Sequence, residues 1–137
     1  MIEAKLNWIG GMQFVGKTAS GHAILMDTLS KFGGENTALA PMELLLVSLA
    51  GCTGMDVVSI LRKMNVKFDS LEIKVGGERV CEHPKVYKKI DLIYEIKGRN
   101  LPEDKIKHAV ELSQERYCSI SEMLRKTAEI TYTIRVG

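Results

Sequence analysis

The sequence predicts an α+β fold carried mainly by antiparallel sheet. Three observations lead there. Short runs of alternating apolar and polar residues cluster at the start, in the middle and at the end of the chain. One long apolar segment opened by a proline separates the first cluster from the second, and a proline-opened amphipathic segment separates the second from the last. The resulting order is βββ-α-ββ-α-α-β, strands grouped around isolated helices.

Ala4, Leu6 and Trp8 alternate with Lys5 and Asn7 as a first strand. Gly10-Gly11 marks a tight turn before Met12–Val15, and Ser20-Gly21 precedes a third run, His22–Met26. Lys31–Thr37 reads as a loop around Gly33-Gly34. Pro41 opens a helix expected to reach about Met64, because proline's missing N–H is harmless at the first helical position. From Leu44 to Leu61, 12 of 18 residues are apolar, which predicts a helix buried on nearly every side.

Val66–Val75 then alternates, with Leu71, Ile73 and Val75 on one face, and Gly76-Gly77 is expected to close that strand. Ile90, Leu92, Tyr94 and Ile96 mark the next strand, which Gly98–Asn100 ends. Pro102 opens a helix whose inner stripe is Ile106, Ala109, Val110, Ser113 and Tyr117. Ser119 and Glu122 have capping-box spacing, so a short third helix should begin near Ser119. Glu129–Val136 alternates again, with Ile130, Tyr132, Ile134 and Val136 inward.

The 137 residues suit a single domain, 1–137. At 45% hydrophobic and 26% charged, the composition excludes disordered and low-complexity classes. Nineteen basic against 17 acidic residues leave a net charge of +2, which favours neither a nucleic-acid nor a membrane partner. The longest uncharged apolar stretch, Leu44–Met55, falls short of the ~20 residues that span a bilayer. No secretory leader is visible, and the expected location is cytoplasmic. There an odd set of three cysteines, Cys52, Cys81 and Cys118, is catalytic, redox-sensing or buried rather than a disulfide scaffold.

Cys52 lies mid-helix between Gly51 and Gly54, and each helical glycine costs about 1 kcal/mol against alanine. The glycines are expected to let another backbone or a substrate approach the thiol. Ser48, Cys52, Asp56 and Ser59 form a polar stripe on an otherwise apolar helix. Cys52 is either a small buried hydrophobe or a nucleophile, and Asp56 one turn away opposes its ionisation. Cys118 precedes the third helix. There the helix dipole and Arg116 would stabilise a thiolate, or the side chain simply packs against the helix start. Cys81 and His83 offer two metal ligands where three or four are needed, and His22 and His108 fall at no ligand spacing. No metal and no cofactor is expected.

The segments Pro41-Met-Glu-Leu-Leu-Leu-Val-Ser-Leu-Ala-Gly-Cys52-Thr-Gly-Met-Asp56 and Glu115-Arg-Tyr-Cys118-Ser-Ile, set in this order of elements, resemble the OsmC/Ohr family. These are osmotically inducible protein C and the organic hydroperoxide resistance protein, and the chain is most similar to the short OsmC-like branch. The resemblance implies sheets wrapped around central helices in an intertwined homodimer. It implies thiol peroxidase chemistry on organic hydroperoxides. Cys52 then matches the peroxidatic cysteine and Cys118 the resolving one, cycling through a sulfenic acid and a disulfide. A dithiol resets the pair, and in the peroxidase branch that reductant can be a lipoylated protein.

Two departures from the peroxidases predict weak activity. They hold the thiolate with an N-terminal Arg, whereas the first Arg here is Arg62, leaving only Lys5, Lys17 and Lys31 upstream of the helix. They also carry Glu directly after the helix-opening Pro, where this chain has Met42 followed by Glu43. At about 100° per residue Glu43 stands roughly 180° round the helix from Cys52. Glu43 is therefore either a helper of the thiolate or a complement to the dipole at the helix start. Two other functions fit the same residues: a non-catalytic binding protein for an apolar small molecule, and a redox sensor using the Cys52–Cys118 pair.

Overall fold

The order of elements expected from the sequence is the order found in a computed structural model, which describes residues 1–137. The chain divides into two compact units, Met1–Leu45 and Leu46–Gly137.

The first unit is an antiparallel sheet of β1 (Ala4–Gly10), β2 (Gln13–Thr18) and β3 (Ala23–Met26). Gly10 and Gly11 make the β1–β2 turn at φ +116° and +54°, a backbone region open to glycine. After β3 the chain turns round the buried Asp27 carboxylate. That carboxylate accepts from the N–H groups of Thr28 (2.7 Å), Glu35 (3.2 Å) and Thr37 (3.0 Å), and from the Thr37 hydroxyl (2.6 Å). Pro41 then opens α1 (Pro41–Lys63). Glu43 reaches back to accept the Ala40 N–H at 3.0 Å, satisfying a donor that the helix itself leaves unpaired.

In the second unit a sheet of order β4-β5-β6 is built from β4 (Ser70–Arg79), β5 (Tyr87–Lys97) and β6 (Glu129–Val136). β4 and β5 pair antiparallel, but β5 and β6 pair parallel. Parallel neighbours need a long crossover, and the helical segment between them, α2 (Glu103–Leu112) and α3 (Ser119–Leu124), supplies it. The core comprises Leu49, Val57 and Leu61 of α1, Ile90, Leu92, Tyr94 and Ile96 of β5, and Ile106, Ala109 and Val110 of α2.

The structure corrects three expectations. Gly76 and Gly77 do not end β4. They lie within it, opposite Asp91 and Ile90, because a side chain at Gly77 would strike the Tyr87 ring at 2.5 Å. The strand also begins at Ser70, not Val66. Finally, α1 is not buried all round: only Leu49, Thr53, Val57 and Leu61 are, a single i, i+4 stripe, while Val47 and Met55 are 52% and 76% exposed. By length and composition α1 could cross a bilayer, but this buried stripe seats it in the core of the fold.

Candidate active site

Cys52 rides on α1 beside the buried stripe and is half-buried. Its neighbour in space comes from 66 residues later. After α2 the helix does not simply run on, as the inner stripe through Ser113 and Tyr117 had implied. It widens into a π-helical turn, Ser113–Tyr117, in which the Cys118 N–H bonds to the Ser113 carbonyl at 2.7 Å. The wide turn leaves Tyr117 outside at 54% exposure, buries Ser113 and Gln114, and delivers Cys118 to the start of α3. Such turns recur at functional sites. The sulfurs of Cys52 and Cys118 and a carboxylate oxygen of Asp56 all lie within 4.8 Å of one another, with both cysteines free.

The capping-box reading moves by one residue. Cys118 itself is the N-cap of α3: its Sγ accepts the Ser121 N–H at 3.4 Å. Glu122 pairs instead with Arg125 across the surface. Of the two readings of Cys118, thiolate stabilisation or packing against the helix start, its buried surroundings favour the second. Burial pushes its pKa up, the Ser121 contacts oppose this only in part, and the neighbouring Cys52 adds to the rise. The balance of these effects favours the thiol over the thiolate at Cys118.

Behind the cysteines lies a buried polar network that the sequence reading missed. The Thr53 hydroxyl is 2.7 Å from both the Tyr94 and the Ser113 hydroxyls. Gln114 donates its amide to Tyr94 (2.7 Å) and Thr53 (3.3 Å), and Arg125 donates to the Gln114 backbone and side-chain oxygens at 2.6 and 3.2 Å. Ser113 donates its proton to Asp56 at 2.9 Å. A hydroxyl has one proton, so Thr53 must donate to Ser113 and Tyr94 to Thr53. Every bond in the chain therefore points toward the Asp56 carboxylate. Burial raises the Tyr94 pKa, so the phenol keeps the proton this direction requires. The signal available in sequence was Thr53, a hydroxyl on a helix expected to be buried on nearly every side.

The glycines beside Cys52 have different surroundings. A side chain at Gly54 would meet Ile73 of β4 at 3.0 Å, whereas one at Gly51 would meet nothing within 4 Å. The close approach at Gly54 is thus made by an apolar side chain rather than a backbone. Both glycines line an open apolar groove of about 1130 Å³ between α1 and β4, shared with Val47, Met55 and Ile73. Among the upstream cations, Lys5 and Lys17 face each other across β1 and β2, and Lys31 stands 5.2 Å from the centre of the Phe32 ring. Glu43 holds the Ala40 N–H. Cys81 is exposed. The donors close enough together to hold a metal ion are Cys52, Asp56 and Cys118, rather than Cys81 and His83.

The OsmC-like protein family model matches residues 34–133. Protein YhfA of Escherichia coli strain K12 is 39% identical over 135 residues, 98% of each chain. Among solved structures, a hypothetical protein from Aquifex aeolicus VF5 superposes with a TM-score of 0.83 at 33% identity, over 100% of this chain and 98% of that one. An organic hydroperoxide resistance protein OsmC from Legionella pneumophila superposes with a TM-score of 0.75 at 19% identity, over 99% and 97% of the two chains. That last likeness shows the fold alone.

Proposed function

The chain belongs to the OsmC-like protein family, and on that premise we propose that it is a thiol-dependent peroxidase acting on organic hydroperoxides. One observation carries the reading: a half-buried Cys52 and a buried Cys118 with both sulfurs free and within 4.8 Å. The Cys52 thiolate attacks the O–O bond, taking one oxygen as a sulfenic acid and releasing the alcohol. Burial raises the Cys118 pKa, which favours its thiol form during that step and supports separate roles for the two sulfurs. Cys118 then displaces the sulfenic hydroxyl, giving a disulfide and water, and a dithiol reduces the pair by exchange. A reducing cytoplasm suits that reset, and a lipoylated protein is a suitable donor.

Glu43 enters as the group that closes the first turn of the helix carrying Cys52. The partner is a second copy. Val47 and Met55 on α1, and Leu6, Trp8 and Ile9 on β1, are each more than half exposed and apolar, which is what a homodimer interface would cover.

The test is consumption of an organic hydroperoxide with excess dithiol. Wild type is expected to turn over many times, Cys52→Ser to lose all consumption, and Cys118→Ser to stall after one equivalent. Activity surviving in Cys52→Ser overturns the proposal. The groove along α1 favours a second reading, retention of an apolar small molecule with both thiols reduced. Wild type without turnover, but with such a molecule bound, would establish that instead.

A further inference from the structure

We propose that Asp56 is the proton acceptor for the resolving thiol, the group that activates Cys118 for attack on the oxidised Cys52. The proposal deepens the peroxidase reading and rests on it. Resolution needs a base: a neutral, buried thiol is a poor nucleophile, and only the thiolate displaces a leaving group from sulfur. The Asp56 carboxylate lies within 4.8 Å of both sulfurs, a reach that one bridging water closes.

The surroundings of Asp56 suit a base more than a structural carboxylate. The part-buried carboxylate is approached by Cys52 on its own helix, Cys118 at the start of α3, and the Ser113 hydroxyl of the π-helical turn. Behind Ser113 stand Thr53, Tyr94 and Gln114, and Arg125 is bound to Gln114 rather than to the carboxylate. No cation neutralises Asp56 within this set. The hydrogen-bond chain aims one oxygen at Ser113, which leaves the rest of the carboxylate's accepting capacity for the sulfurs.

The step balances. The Cys118 S–H proton passes to Asp56, the Cys118 sulfur bonds to the Cys52 sulfur, and the S–O bond of the sulfenic acid breaks. Asp56 returns the proton to the departing hydroxide as water. The Cys118 sulfur is oxidised and the Cys52 sulfur reduced.

The experiment isolates the second step from hydroperoxide chemistry. In a Cys81→Ser background, Cys52 is loaded with 2,2′-dithiodipyridine, and the second thiopyridone released reports attack by Cys118 on the mixed disulfide. Wild type is expected to release it at a rate nearly flat over about pH 6 to 8, because an internal proton acceptor does not depend on bulk hydroxide. Asp56→Asn should slow this phase at least about tenfold at pH 7 and make it rise about tenfold per pH unit, as hydroxide replaces the internal base. A structural role alone would not convert a flat profile to a sloped one.

A wild-type profile that itself rises tenfold per unit overturns the proposal. So does an Asp56→Asn rate within twofold of wild type. If Asp56→Asn does not fold, the wild-type profile decides. A flat second phase in a protein that consumes no hydroperoxide would sink the peroxidase reading while leaving the base assignment standing.

Discussion

Two carboxylates in this molecule sit at loop or helix positions rich in hydroxyl groups, and they have opposite characters. Asp27 is saturated. Three backbone N–H groups and the Thr37 hydroxyl converge on it, and these hydrogen bonds, the Thr37 hydroxyl foremost, hold its pKa down at about 2. It ties residues 27 to 37 together and has no lone pair to spare for chemistry. Asp56 accepts one bond from Ser113 and faces two thiols. The two differ in how much of each carboxylate's accepting capacity the protein claims: four donors converge on Asp27, and Ser113 donates to Asp56.

The comparison can be broken first at Thr53, the hub of the network that aims Asp56. Thr53→Val keeps the shape, removes hydrogen bonds to three partners and should cost about 2 kcal/mol of stability, read as a lower urea midpoint with unchanged slope. A smaller effect is expected at Asp27. Its folded pKa lies below the ordinary value near 3.9, so its contribution is complete above about pH 4 and is lost as pH falls toward about 2. Asp27→Asn should flatten that acid limb of stability in urea unfolding measured at each pH.

The smallest effect is on the alkaline side. Burial raises the pKa of Cys118, as it does for Tyr94 and Tyr132, so the native state keeps protons that the unfolded chain releases. Stability from these groups is therefore full below the ordinary thiol pKa near 8.5 and falls above it. Cys118→Ser should remove the earliest part of that decline, leaving the tyrosine part at higher pH.

Much of the fold was legible because its signals are local. Pro41 and Pro102 announced two helices, glycine pairs announced the first turn, and period-two alternation announced β5 and β6. Gly76-Gly77 misled because a strand interior and a turn both use glycine. The reason for the pair there is the Tyr87 ring on the neighbouring strand, which lies ten residues away. The exposed side of α1 misled in the same way: an apolar residue shows that it can be buried, not what covers it.

At the site, Cys52 and Cys118 could be singled out from the sequence, Cys52 by its flanking glycines and Cys118 by its place at a helix start. Their electrostatics could not. The sequence alone determined which thiols stand out and which elements present them, since helix phase, caps and alternation are set by near neighbours. Only the tertiary structure decided that burial raises the Cys118 pKa, that Asp56 lies close to both sulfurs, and that Thr53, Tyr94, Ser113 and Gln114 form one network with it. The physical reason is that desolvation and hydrogen bonding depend on what the rest of the chain brings within a few ångströms, and here those partners come from up to 66 residues away.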